Sequence, residues 1–288
     1  MIQRWAIFIC LWVAPVFAAD FSKKDRAWWA FQPVHQPVVP KDSAEWAINE
    51  IDPFIARKLA SKKLSPAKSA DARTLIRRVT FDLTGLPPTP AEVNAFLKSS
   101  IAIPNTAFEN LVDRLLASPG FCERQARFWL DLVRYADSDG YNADHPRPEA
   151  WRYRDYVIAS FNADKPFTGF IREQIAGDLI PGGTLEQQRE RLTATAFLLL
   201  GPTNYELQDK TVLEMDIVDE QLDTMGKAFM GRTIGCARCH DHKFDPIRTE
   251  EYCRMAGILL FIFFCFFLLK IFFSIFFFFF IFYFINKI

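Results

Sequence analysis

Two cysteines and a histidine stand at CxxCH spacing in Cys236-Ala-Arg-Cys239-His240, and a second histidine, His242, follows after Asp241. Three positions along one helical turn bring two thiols to the same side with an imidazole next to them. That is the pattern of c-type haem attachment, in which the thiols join the porphyrin vinyl groups and the imidazole meets the iron. Haem c makes Cys236, Cys239 and His240 the cofactor-binding residues. Two other chemistries draw on the same side chains. Zinc would take the two thiols with His240 or His242 as metal ligands and would need a further donor, for which Cys253 and Cys122 are the available thiols; no second CxxC pair closes the tetrahedron. A Cys236–Cys239 disulfide needs only an oxidising compartment and leaves the protein with no cofactor. A distal haem ligand would come from Met225, Met230, Met255 or His145, because His242 stands too close to His240 to reach the opposite face.

A second polar cluster runs from Tyr135 to Asp155 and includes Asp137, Asp139, Asp144, His145, Arg147, Glu149, Arg152 and Arg154. As a calcium loop starting at Asp137 it has Asn142 at the sixth place and Pro148 at the twelfth, where an EF-hand needs Gly and Glu. The expectation is an ion-pair network that ties a loop to a helix, Asp137 or Asp155 with Arg152 or Arg154. A functional alternative makes the loop the lining of a haem or carbohydrate site. No Ser-His-Asp order, phosphate loop or isolated carboxylate pair stands out, so no catalytic residue is assigned.

The chemistry depends on compartment. Arg4, the apolar run Trp5 to Phe17, and the small residues Ala18 and Ala19 read as a signal peptide over residues 1–18, which makes the protein exported, periplasmic or at the cell surface. Haem attachment and disulfides both suit that side of a membrane. Residues 258–288 are almost entirely Phe, Ile and Leu. Five rings in succession at Phe276 to Phe280 are foreign to natural membrane spans, which mix in small residues. The expectation is a gene-model artefact beginning after about Ala256; otherwise the tail is a membrane anchor with Lys270 near its middle. Charge is balanced, with 34 Lys and Arg against 34 Asp and Glu, which excludes an electrostatic case for nucleic acid.

The elements that must position the motif are helical. Residues 19–50, rich in Pro and Trp, form an extended segment whose Trp28, Trp29 and Trp46 would dock in grooves or, alternatively, stack on carbohydrate. Residues 51–257 form the helical domain. Phe108, Leu111, Val112, Leu115 and Leu116 follow helical spacing. Thr89-Pro90-Ala91-Glu92 is a capping box that starts a helix at Pro90 and carries it to about Leu97. Gly85-Leu86-Pro87-Pro88 stops a helix over Ala72 to Leu83. Further helices are expected near Asn49–Leu59, Arg124–Tyr135, Glu149–Asn162, Thr168–Ala176, Leu185–Leu200 and Val212–Gly231, with no strand of useful length. The fold class is mainly α: an irregular multi-helix domain with an extended N-terminal segment.

Ordered motifs carry a resemblance over about Trp28 to Ala256. Phe31-Gln-Pro-Val, Leu75-Ile-Arg-Arg-Val-Thr-Phe-Asp-Leu-Thr-Gly-Leu-Pro-Pro-Thr-Pro, Leu111-Val-Asp-Arg-Leu-Leu-Ala-Ser-Pro, Trp151-Arg-Tyr-Arg-Asp-Tyr-Val-Ile, Asn162-Ala-Asp-Lys-Pro-Phe, Glu173-Gln-Ile-Ala-Gly-Asp and Gly235-Cys-Ala-Arg-Cys-His-Asp-His-Lys-Phe-Asp-Pro-Ile resemble the planctomycete cytochrome-c-like domain of unknown function. The resemblance implies haem c held by Cys236, Cys239 and His240 and a role in electron transfer. It also implies a large exported protein in which a redox partner, a second domain of unknown function or a carbohydrate-binding module accompanies this one, so that the chain is a fragment. The competing class is a non-catalytic interaction domain, fixed by a disulfide or zinc at the motif, that assists polysaccharide processing.

Overall fold

Amphipathic spacing and well-placed caps make most of the described residues helical. The computed structural model describes residues 22–41, 45–102 and 104–260; the expected signal peptide, and the tail from residue 261 onward, lie outside them. The chain divides into two compact units, residues 1–66 with 243–246, and residues 67–242 with 247–288.

In the first unit, α1 (Lys23–Arg26) is a single turn closed by a reciprocal Ser22–Asp25 capping box. A 3₁₀ turn follows at Trp29–Phe31. Helix α2 (Asp52–Ser61) starts where Asp52 accepts from the backbone N–H groups of Ile48 and Asn49. Residues 33–40 between these elements carry no regular secondary structure. Within this unit Trp29 is 77% exposed and Trp28 47%, and their rings lie 6.5 Å apart at a tilt of 44°.

The second unit stacks its helices around three apolar clusters. Helices α3 (Ala72–Thr84), α4 (Pro90–Ala102) and α5 (Pro104–Leu116) enclose Ile76, Phe96, Ala107, Leu111 and Leu115. Asp71 caps α3 at the Thr74 N–H, and Gly85 ends it with a left-handed φ of 75°. Glu92 closes the expected capping box by accepting from both the backbone N–H and the hydroxyl of Thr89. Helix α4 runs five residues past the expected end at Leu97, and Phe96, near that end, is buried in the cluster.

The middle cluster lies among α6 (Pro119–Leu132), α7 (Trp151–Asn162), α8 (Phe167–Ala176) and the 3₁₀ turn Thr195–Leu199. Its centre is polar as well as aromatic. Trp129 Nε1–H donates to Tyr153 Oη (3.0 Å), whose own hydroxyl donates to Gln174 Oε1 (2.7 Å), and all three side chains are buried. Here the expected single helix Leu185–Leu200 is corrected: α9 (Leu185–Ala194) gives way to the tighter 3₁₀ turn, where Thr195 Oγ1 donates to the Leu192 carbonyl and Phe197 turns fully into the core.

The third cluster positions the motif. Helix α10 (Lys210–Met225) begins at Asp209, which accepts from the N–H groups of Thr211 and Val212. It does not continue to Gly231 as an α-helix: Gly226–Met230 form a π-turn and Gly231 turns the chain with φ 62°. Helix α11 (249–260) returns across it, and it runs through the expected boundary at 257 and 258. Val218, Leu222, Ile234, Ala237, Ile247, Tyr252 and Ala256 fill the space between. Among the described residues there is no strand; Ser138 and Pro146 form one isolated antiparallel bridge. No helix among them is long and apolar enough to cross a membrane.

Candidate functional site

The CxxCH motif sits on a 3₁₀ turn, Ile234–Arg238, and continues through Cys239 and His240. Side chains three apart on such a turn eclipse one another. Ile234 and Ala237 therefore share the inward face, 1% and 0% exposed, while Cys236 and Cys239 share the outward one and are exposed free thiols. The expected grouping of the two thiols on one turn is what the chain builds.

Two contacts hold this turn against α10 and the π-turn that follows it, and a third ties α11 to the same acidic side chain. Gly226 carries no Cβ because one there would stand 2.6 Å from Ile234 Cγ1 and 2.8 Å from the Arg232 carbonyl, so the π-turn and the motif approach closely. Arg238 bridges Asp216 (2.9 Å) and Asp219 (3.3 Å) of α10, and the Asp216 bond holds its guanidinium above the usual range. From α11, Tyr252 donates its hydroxyl to the other oxygen of Asp219 (2.7 Å). Burial, then that bond, push the Tyr252 phenol well above its ordinary value. Arg238, the variable "x" of CxxCH, is thus the residue that pins the motif, a role its sequence position does not announce.

His240 is exposed, and its Nδ1 lies 2.8 Å from the carbonyl oxygen of Asp241. A carbonyl only accepts, so Nδ1–H is the donor in this contact and Nε2 is left pointing away from it. Asp241 also accepts from the Thr249 N–H that opens α11 (3.0 Å), which anchors the residue that orients the ring. His242 points elsewhere: its Nε2 meets Thr233 Oγ1 at 3.0 Å and its backbone N–H donates to Ile247. Among the described residues no three His, Cys, Asp or Glu side chains converge as a metal site, so His242 is not brought together with the thiols and His240. A zinc tetrahedron needs such convergence. Thioether attachment needs only two outward thiols on one face beside an imidazole with a free nitrogen, which is the arrangement present, so the donor set fits haem c. Of the candidate distal ligands, Met225 packs on the middle cluster and Met255 on the third, whereas Met230 is 53% exposed.

The loop after α6 is a structural device in its own right. Asp139, nearly buried, accepts from Arg147 Nε (2.6 Å), and Arg147 spends its two terminal nitrogens on the carbonyls of Leu200 (2.8 Å) and Gly201 (2.7 Å). The expected partners were Asp137 or Asp155 with Arg152 or Arg154. Arg154 does pair with Asp155, but Arg152 pairs with Glu149 and Asp137 accepts from Tyr135 (2.6 Å). Burial and that last bond push the Tyr135 phenol up to about 12. The sequence places Arg147 in the cluster but not its anchoring role, because two of its three acceptors are backbone carbonyls more than fifty residues away.

With this geometry in view, residues 50–261 match the family described as PSCyt2, proteins of unknown function (DUF1549), and the chain belongs to that family. No curated protein and no solved structure matches the chain.

Proposed function

We propose that this domain carries a c-type haem on Cys236, Cys239 and His240 and takes part in electron transfer on the exported side of a membrane. The observation that supports the reading is the outward pair of free thiols on one rigid turn beside an imidazole whose Nδ1–H is already engaged. Each thiol would add S–H across one vinyl C=C, forming a carbon–sulfur bond and placing the proton on the neighbouring carbon, with no net oxidation. Bound there, the haem supplies a one-electron iron couple whose potential follows its axial ligands and exposure. The protein's share is to present the thiols without reorganisation and to fix the His240 tautomer through Asp241.

The test is a pyridine haemochrome spectrum of protein matured with a haem-attachment system. Wild type should give the thioether-shifted band, Cys236→Ala or Cys239→Ala the single-vinyl position, and the double variant no covalent haem. An unmodified wild-type protein under maturation conditions that load a control cytochrome would leave the interaction-domain reading, with these thiols as a disulfide, in its place.

A further inference from the structure

The second unit contains an open cavity of about 470 Å³, separate from the CxxCH turn, between the loop after α6, the start of α7, the strip Ala196–Tyr205 and α10. That size lies in the small-molecule range of roughly 300–1,000 Å³. Its lining includes the apolar side chains Ala196, Leu198, Leu200 and Ile217. Its walls carry three arginines, Arg134, Arg147 and Arg152, and three carboxylates, Asp139, Glu149 and Glu220.

The charges pair off around the wall. Arg147 is fully spent on Asp139 and two carbonyls, so it shapes the wall and offers nothing to a ligand. Arg134 forms an ion pair with Glu220, and its Nε is buried with no partner. A Cβ on Gly201 would stand 2.9 Å from the Arg134 guanidinium, so the glycine lets this group lie flat against the chain. At the mouth, Arg152 pairs with Glu149 and lies over the Trp151 ring at 4.8 Å, with both charged side chains more than half exposed. Tyr205 completes the rim, 51% exposed and edge-on to His145.

With three arginines and three carboxylates the lining carries no net charge, which favours neither an anion nor a cation overall. It offers planar donors and acceptors close together beside apolar side chains, with an exposed aromatic at the rim. The ligand that answers this has hydroxyls, each able to donate and to accept, on a body with an apolar face. We propose that this cavity binds a neutral mono- or disaccharide, with Glu149, Arg152 and Tyr205 as the contacts at its mouth.

The test is saturation-transfer NMR followed by calorimetry on the full chain, with cellobiose, maltose, xylobiose and lactose as probes and with glucuronate and glucose 6-phosphate as anionic counterparts. At least one neutral disaccharide should bind, and Tyr205→Ala and Arg152→Ala should each weaken it about tenfold. The anionic sugars should bind no tighter than the neutral ones. Thermal melts report whether either variant is misfolded, in which case Glu149→Gln, which changes one exposed charge, takes its place. Failure of all four disaccharides to bind, affinity unchanged by the mouth variants, or tighter binding of the anions would each overturn the proposal. The Cys236→Ala/Cys239→Ala variant should retain the sugar affinity, which keeps this outcome distinct from the fate of the haem.

Discussion

Asp139 illustrates how one side chain can serve as structure where the sequence suggests a site. Its carboxylate neutralises Arg147, and that guanidinium in turn satisfies the Leu200 and Gly201 carbonyls, so removing the charge strands a cation in the wall. Asp139→Asn should cost about 3 kcal/mol in urea denaturation, as loss of one partner of a buried pair does. Asp137→Asn, which keeps an acceptor for Tyr135 on an exposed residue, should stay within about 1 kcal/mol. Equal losses at both positions would mean that the loop is held by general charge density and not by this anchor. Gly226 is the corresponding position at the motif: Gly226→Ala should lower the melting temperature by several degrees and loosen the CxxCH turn, visible as faster alkylation of Cys236 and Cys239. An unchanged alkylation rate would show that the π-turn does not hold the motif. At this scale the sequence was legible for the thiols and His240, whose spacing is local, and illegible for Arg147, Arg238 and Gly226. The roles of those three come from contacts that only the folded chain creates.

At the scale of elements, local signals carried most of the fold. The Thr89–Glu92 capping box marked the start of α4 and Gly85 the end of α3, because a cap is a contact between residues three or four apart, whereas the Asp71 cap of α3 emerges only from the structure. Hydrogen bonds from Thr89, with Arg114 adding to them, hold the Glu92 carboxyl below its ordinary value. A lowered folded value means stability that is present above the unfolded pKa, near pH 4.3, and is lost as pH falls through the folded one. Melting temperature should therefore drop as pH falls below about 4.3, and Glu92→Gln should flatten part of that drop. A variant with the same acid slope as wild type would refute the cap's contribution. What local signals did not carry was the breaking of helices by tertiary packing. Phe197 draws the chain after Ala194 into a 3₁₀ turn, and the approach of Ile234 to Gly226 accompanies a π-turn where a continuous α-helix was expected.

At the scale of the whole molecule, the second unit carries two polar features that share α10: the CxxCH turn rests on Asp216 and Asp219, and the cavity is lined by Ile217 and Glu220 together with the start of α7 and the strip after Phe197. A domain that holds haem on one and sugar on the other would bring an electron-transfer group to a saccharide. The mainly α class was legible because amphipathic helices announce themselves one at a time. The distribution of three separate cores was not, because it depends on which helix faces meet. The most direct measurement is the intact mass of the denatured protein after expression with haem-maturation machinery. A mass increase of one haem that disappears in the Cys236→Ala/Cys239→Ala variant is the predicted result, and an unmodified wild-type mass beside a fully loaded control cytochrome would contradict the account.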